Sequence, residues 1–286
     1  MRLLAISDLH VSHRRNREAL TGIPPHPDDW LIVAGDVSER VEHLTATLAV
    51  LTARFARVFW VPGNHDLWCP PAAADRSRGQ ARYEELVGIC RQAGVLTPED
   101  PYVCWPPEPD TYIVPMFLLF DYSFRPAAVP ADRAVPWARE SGLLAGDEWM
   151  LDPSPWPSRP AWCAARCDLT DARLRALPAG SRTVLINHWP LRYDLAIPPL
   201  IPRFSIWCGT TRTEDWPRRF HARAVVSGHL HMRTTRWRDG VRFEEVSLGY
   251  PRDWQLRRGI AGYLRQVLPV NSGSDASVDA VSFRRR

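Results

Sequence analysis

Val58-Phe59-Trp60-Val61-Pro62-Gly63-Asn64-His65-Asp66 decides how the whole chain is read. Four apolar residues run without interruption into a proline, a glycine and three polar side chains. A short continuous apolar run of this kind is the pattern of a strand buried on both faces. The same pattern recurs in both directions along the sequence. Leu3-Leu4-Ala5-Ile6 runs into Ser7-Asp8-Leu9-His10, and Leu31-Ile32-Val33-Ala34 into Gly35-Asp36. Val184-Leu185-Ile186 runs into Asn187-His188, and Ala224-Val225-Val226-Ser227 into Gly228-His229-Leu230-His231. Helical patterns fall between them at residues 41–55, 83–93 and 169–177. Alternating strands and helices predict an α/β sandwich with much parallel pairing. In such sheets the active site lies beyond the carboxyl ends of the strands, which is where all the polar clusters fall.

Residues 67–180 read differently. They are rich in proline and tryptophan, with a strand predicted at 112–120 and a long irregular excursion at 126–160 carrying Trp137, Trp149 and Trp156. A loop of that length points to a binding loop or a lid, and its tryptophans favour an ordered one packed on the body. Residues 1–268 read as a single domain containing this lid-like insertion, and 269–286 as a flexible tail.

Composition bounds the rest. The 286 residues are 45% hydrophobic and 24% charged, an ordinary globular balance with length enough for a sizeable core. No run approaches the roughly 20 apolar residues of a membrane helix. The first strand begins almost at Met1, so no signal peptide is expected and the cytoplasm is the expected compartment. Six cysteines show neither metal-site spacing nor disulfide density, and Cys163 and Cys167, on one helix face, are expected as reduced thiols. The net charge of +4 is carried by arginine, without a single lysine, a usage that points to a GC-rich bacterial genome. The basic residues are scattered apart from Arg284, Arg285 and Arg286, which argues against a nucleic-acid groove.

The chemistry lies in the strand-end side chains Asp8, His10, Asp36, Asn64, His65, His188, His229 and His231. They are oxygen and imidazole donors with no thiolate, a set suited to manganese, iron or zinc. Seven ligands exceed one tetrahedral zinc and suit two ions sharing a carboxylate. Gly35, Gly63 and Gly228 stand where the backbone must turn sharply off a strand. A lone Asp-x-His or Gly-Asp means little. Gly-His-x-His after a strand means more, because imidazoles at i and i+2 of an extended segment point to one side. A histidine at a strand end is usually a satisfied polar residue, a reading that five such clusters in order leave little room for.

The ordered series Asp8-x-His10, Gly35-Asp36, Gly63-Asn64-His65-Asp66, Asn187-His188 and Gly228-His229-x-His231 resembles the calcineurin-like metallophosphoesterase superfamily over residues 1–250. The resemblance implies a two-sheet β-sandwich flanked by helices in four α/β/β/α layers. It implies a hydrolase that cleaves a small phosphomonoester or phosphodiester with a metal-bound hydroxide. One metal would be held by Asp8, His10, Asp36 and His231, the other by Asp36, Asn64, His188 and His229, with Asp36 bridging. His65 would donate a proton to the leaving oxygen or steady phosphoryl charge, and Asp66 would orient His65.

Weaker candidates for substrate contact are Arg192, which follows the His188 loop, and His13, three residues past His10. A solvated arginine and an exposed histidine are the competing readings of each, and Arg125 is a similar case. A 3′,5′-cyclic-nucleotide phosphodiesterase is the alternative activity, although the gap from Asp66 to His188 is long for compact members of that group. A non-catalytic binding scaffold is the alternative outside enzymes, and the complete ligand set argues against it.

Overall fold

The apolar runs become strands because they are buried on both faces, and the computed structural model, which describes residues 1–70 and 77–270, shows what buries them. In chain order the elements are β1 (Leu3–Ile6), α1 (Arg14–Ala19), β2 (His26–Val33), α2 (Val41–Thr52), β3 (Phe55–Trp60), α3 (Asn64–Leu67) and α4 (Gly79–Gln92). There follow β4 (Val103–Trp105), β5 (Glu108–Pro115), α5 (Ala134–Arg139), α6 (Asp147–Met150), α7 (Arg159–Arg175) and β6 (Arg182–Ile186). The chain closes with α8 (Trp216–Arg219), β7 (Ala222–Ser227), β8 (Thr235–Arg238), β9 (Val241–Glu245) and β10 (Arg265–Leu268).

The strands form a four-stranded sheet in the order β10-β1-β2-β3 and a six-stranded sheet in the order β4-β5-β6-β7-β9-β8. Strands β1 to β3 pair in parallel, as do β5, β6, β7 and β9; the antiparallel partners β10, β4 and β8 lie at edges. Alternate residues divide the core, as a side-chain period of two requires. Leu3, Ala5, Ile32, Ala34, Phe59 and Val61 meet Ile113, Val184, Ile186, Ala224 and Val226 between the sheets. Their neighbours Leu4, Ile6, Leu31, Val33, Val58 and Trp60 share a core with Leu44 and Leu48 of α2 and with Tyr83 and Leu86 of α4. On the other sheet, Val114, Leu185 and Val225 belong with Trp162 and Cys163 of α7 and with Trp216 of α8. This is the four-layer helix, sheet, sheet, helix arrangement.

Three differences from the sequence reading have physical causes. Helix α7 begins ten residues before the predicted 169, because Ser158 caps it by accepting from the Ala161 amide (3.2 Å) and Pro160 occupies the first turn. The predicted strand 112–120 leaves the ladder after Pro115; Met116 to Phe120 stay buried, and Leu118 pairs instead with the Asn187 side chain through both its N–H (3.0 Å) and its C=O (3.2 Å). The 126–160 excursion carries α5 and α6 and places Ala134, Ala138, Ala145 and Leu151 in the main core, while Trp149 and Trp156 are exposed. Most of the predicted tail, with Arg284 to Arg286, lies outside the described residues.

Candidate active site

Strands β1, β2 and β7 deliver their polar residues within short left-handed turns. Five of the seven candidate ligands have positive φ: Asp8 (53°), His10 (41°), Asp36 (54°), His229 (74°) and His231 (54°). Such backbone costs about 1–3 kcal/mol per residue and persists where surrounding structure enforces it. Gly35 (φ 90°) precedes Asp36, where a Cβ would meet the Gly63 amide and the His188 ring at 2.7 Å. At Gly63 a Cβ would fall inside the Asp36 carboxylate. After Gly63 the chain enters the single turn α3, whose third residue, Asp66, reaches back to accept from the Gly63 amide (2.9 Å). That turn lets both Asn64 and His65 line the cleft.

The donors converge in two groups. Asp8, His10 and His231 face one another: His231 Nε2 is 3.1 Å from Asp8 Oδ1 and 3.2 Å from His10 Nε2. Asn64 Oδ1 lies 3.1 Å from His188 Nε2 and 3.2 Å from His229 Nδ1. Between the groups, Asp36 Oδ2 is 3.5 Å from His188 Nε2 and 3.9 Å from His10 Nε2, while its Oδ1 accepts from the His65 amide (2.8 Å). Asp36 therefore occupies the shared position between the two sets.

Supporting contacts fix the orientation of these groups. His188 Nδ1 donates to the Ala34 carbonyl (2.8 Å), and His231 Nδ1 pairs with Asp253 (3.2 Å), so each turns Nε2 inward. The Asn64 amide donates to Asp147 Oδ1 (3.0 Å), which also accepts from the Trp68 indole (2.6 Å). That leaves the Asn64 oxygen aimed at the two imidazoles.

Burial dominates the electrostatics. It holds His188 down to about 4 despite the nearby Asp8 charge, and it drives His10 and His229 well below the ordinary histidine value, helped by the neighbouring rings. These rings are neutral and offer lone pairs. Asp36 is pushed well above the carboxylate range by burial and then by Asp8 and Asp66. Burial opposes charge on Asp8 and His231 too, but their mutual attraction wins: Asp8 falls well below its ordinary value and His231, also held by Asp253, rises to about 10. Crowded carboxylates beside three neutral imidazoles call for positive charge, which a proton on His231 supplies here and a bound cation would supply in its place, so the residues fit bound cations. Among the described residues, three triplets of donor atoms lying within 4.8 Å of one another, Asp8-His10-His231, His10-Asp36-His65 and Asp8-Asp36-His188, overlap through His10, Asp8 and Asp36.

The nest forms the floor of a cleft of about 1210 Å³. The cleft is lined by apolar Leu144, Pro198, Leu200 and Ile201, by aromatic Trp68, Phe204, Tyr250, Trp254 and Tyr263, and by Arg15, Arg252 and Arg258.

The model of the calcineurin-like phosphoesterase family matches residues 1–233. The chain belongs to that family. It is a metal-dependent hydrolase of phosphoric esters. This phosphoesterase is 49% identical over 271 residues to the [acyl-carrier-protein] phosphodiesterase PptH of Mycobacterium tuberculosis, covering 93% of this chain and 83% of the relative. The crystal structure of the phosphopantetheinyl hydrolase PptH from M. tuberculosis superposes with a TM-score of 0.88 at 48% identity, covering 94% of this chain and 96% of that one. No helix among the described residues of the phosphoesterase is long and apolar enough to cross a membrane.

Two sequence expectations need correction. Asp66 does not orient His65. Its carboxylate accepts from the amides of Asp36 (2.9 Å), Val37 (2.9 Å), Ser38 (3.0 Å) and Gly63 (2.9 Å), clamping two strand-end loops together. Burial lifts it to about 6 against the pull of those four bonds. The group on the His65 ring is Glu39, whose Oε1 lies 2.5 Å from Nδ1. Burial alone would raise Glu39, but the His65 contact and the Ser12 hydroxyl (2.6 Å) bring it down to about 2. Arg192 does not face the cleft. Its guanidinium is held by Asp194 and Asp239, each at 2.9 Å. Arg125 is likewise spent on the carbonyls of Val129 and Tyr122. His13 is exposed at the start of α1, edge-on to Tyr250 with ring centroids 5.5 Å apart.

Four residues of this neighbourhood escaped sequence reasoning: Glu39, Asp147, Asp253 and Arg82. Buried Arg82, from α4, donates to the carbonyls of Asp66 and Glu39, each at 3.2 Å. Only Glu39 carried a signal, three residues beyond Asp36 in the same strand-end loop. The other three reach the site by long-range packing.

Proposed function

We propose that the chain hydrolyses the phosphodiester that joins a phosphopantetheinyl arm to a carrier protein. What carries this reading is the 49% identity to an [acyl-carrier-protein] phosphodiesterase across 93% of the chain. The cleft supports it: about 1210 Å³ beside the donor nest leaves room for more than a small phosphomonoester, as a diester between two large groups needs.

In this reading Asp8, His10, Asp36 and His231 hold one divalent cation, and Asp36, Asn64, His188 and His229 a second. Manganese, iron and zinc all suit the donor set. Two such ions supply Lewis acidity toward phosphoryl oxygens and lower the pKa of a water.

The remaining chemistry belongs to the chain's own residues. His65 lines the cleft beside the nest, its ring tilted 32° against Trp68 with centroids 3.7 Å apart. With Nδ1–H donated to Glu39, a proton that His65 transfers leaves from Nε2, toward the leaving oxygen. Asp66 and Arg82 keep the Asp36, Glu39 and Gly63 loops in register, so that nest and proton donor keep a fixed relation.

Purified protein supplied with manganese and a carrier protein bearing the arm should release the bare carrier, seen by intact mass. A carrier that keeps its arm, under conditions where a nitrophenyl diester is cleaved, would overturn the substrate assignment and leave the phosphoesterase chemistry standing.

A further inference from the structure

A phosphoryl group has more oxygens than two cations can hold, and the arginines near the strand ends do not serve it. Arg192 is drawn onto Asp194 and Asp239, and Arg125 onto backbone carbonyls. Other side-chain donors that line the cleft are spent as well. The Trp68 indole donates to Asp147 (2.6 Å), the Trp254 indole to Asn16 (3.0 Å), and the Arg233 guanidinium to the carbonyls of Leu248 (2.6 Å) and Asp253. Tyr250 differs. It lines the cleft half-buried, and its hydroxyl makes no hydrogen bond to a described residue and is not sealed from solvent. Its ring lies against the nest, stacked on His10 with centroids 4.4 Å and planes 20° apart, and 5.0 Å from the His231 ring and 6.5 Å from that of His65. The backbone holds it there. The Gly249 amide donates to the Asp8 carbonyl (3.0 Å), the Gly249 carbonyl accepts from the buried Asn16 side chain (2.9 Å), and the Tyr250 amide donates to the Asp253 oxygen (2.9 Å) that also holds His231. Gly249 has φ 86°, and a Cβ there would meet the Asp253 carboxylate at 2.8 Å. One short segment thus fixes Asp8, His231 and the phenol together.

We propose that Tyr250 is a substrate-binding residue whose hydroxyl donates a hydrogen bond to a non-bridging oxygen of the phosphoryl group held over the nest. The inference concerns the phosphoesterase reaction on any ester and stands apart from the carrier-protein substrate proposed above. A phenol keeps its proton across the neutral range, so it can donate but adds no charge of its own. A hydrogen bond to an anionic oxygen is stronger than one between neutral groups. The stack on His10 and the pinned backbone set the ring before substrate arrives, so little ordering is needed on binding. The role differs from that of His65, which serves the leaving oxygen. The competing reading is that Tyr250 only packs on His10, and there a phenylalanine would serve as well.

Tyr250→Phe removes the hydroxyl and keeps the ring, so it isolates the donor. The test uses full-length protein loaded with manganese, with bis(p-nitrophenyl) phosphate and an alkyl nitrophenyl diester as substrates and inorganic phosphate as the binding probe. The variant should bind as much manganese as the wild type. Its kcat/KM should fall on the order of tenfold to a hundredfold, the worth of a hydrogen bond to a charged group. The deficit should be the same whether the nitrophenyl or the alkyl oxygen leaves, and the variant should bind inorganic phosphate several-fold more weakly by calorimetry. Wild-type kcat/KM and phosphate affinity in Tyr250→Phe would overturn the donor and leave the packing reading. A deficit confined to the poorer leaving group, with phosphate binding unchanged, would make the hydroxyl a proton donor to the leaving oxygen and overturn the assignment to a non-bridging oxygen. Loss of manganese from the variant would make Tyr250 a support of the nest and overturn the proposal too. All of these readings use small probes, so a carrier protein that keeps its arm would leave them unaffected.

Discussion

The floor of the cleft and its walls are built by different means. Every proposed metal ligand lies within four residues of the strand that delivers it, on a backbone that the sheets hold in place. The walls come mostly from residues 144–147, 198–204 and 250–258, with Arg15, Trp68 and Tyr263, in short helical turns and loops far apart in sequence. The floor is strained and buried and gathers carboxylates and imidazoles; the walls are partly exposed and carry apolar, aromatic and arginine side chains. Chemistry common to a family fits the rigid floor, and choice of substrate fits the walls.

Substitutions can break that division, beginning with the largest effect. Asp36 stands between both donor groups, so Asp36→Ala should lower turnover on the order of 10³-fold or more on any ester, with loss of bound metal by elemental analysis. Normal turnover there would remove Asp36 from the shared position. His65→Ala should keep both metals and lose roughly 10²-fold or more in turnover, less on nitrophenyl esters whose leaving oxygen needs little protonation. An equal deficit on alkyl and nitrophenyl esters would make His65 a stabiliser of phosphoryl charge, and loss of metal would make it a ligand.

Asp147 sharpens the comparison because it comes from the wall yet acts on the floor. Asp147→Ala frees the Asn64 amide to rotate and should weaken metal binding by about 10–100-fold, measured by titration of metal-free protein. Unaltered metal affinity would show that α3 alone sets Asn64. In the wall, Leu200→Ser should raise KM for the carrier-linked ester by about threefold, the scale of losing part of one leucine contact, and leave small esters untouched. A fall in kcat on small esters would erase the distinction between floor and wall.

The same distinction explains what could be read in advance. Strands β1, β2, β3, β6 and β7 and the donors at their ends were legible because burial on both faces and a polar end are local signals, seen in one stretch such as residues 58–66. Asp66 was visible as a residue but misread as to role. The resemblance implied that it orients His65, whereas α3 turns its carboxylate back toward four amides. Asp147 and Asp253 were not legible, because nothing local distinguishes a carboxylate that will meet Asn64 or His231 from a solvated one. Arg192 looked close to the site in sequence and was drawn off by Asp194 and Asp239, a pairing that depends on where residue 239 folds.

The central claim is that the strand ends form one nest for two cations sharing Asp36. Crystals of protein purified with manganese, measured by anomalous diffraction at the manganese edge, test it directly. The account predicts two peaks on the order of 3.5–4 Å apart, one among Asp8, His10 and His231 and the other among Asn64, His188 and His229, with the Asp36 carboxylate touching both. A single tetrahedral ion, or two peaks with Asp36 bound to only one, would contradict it.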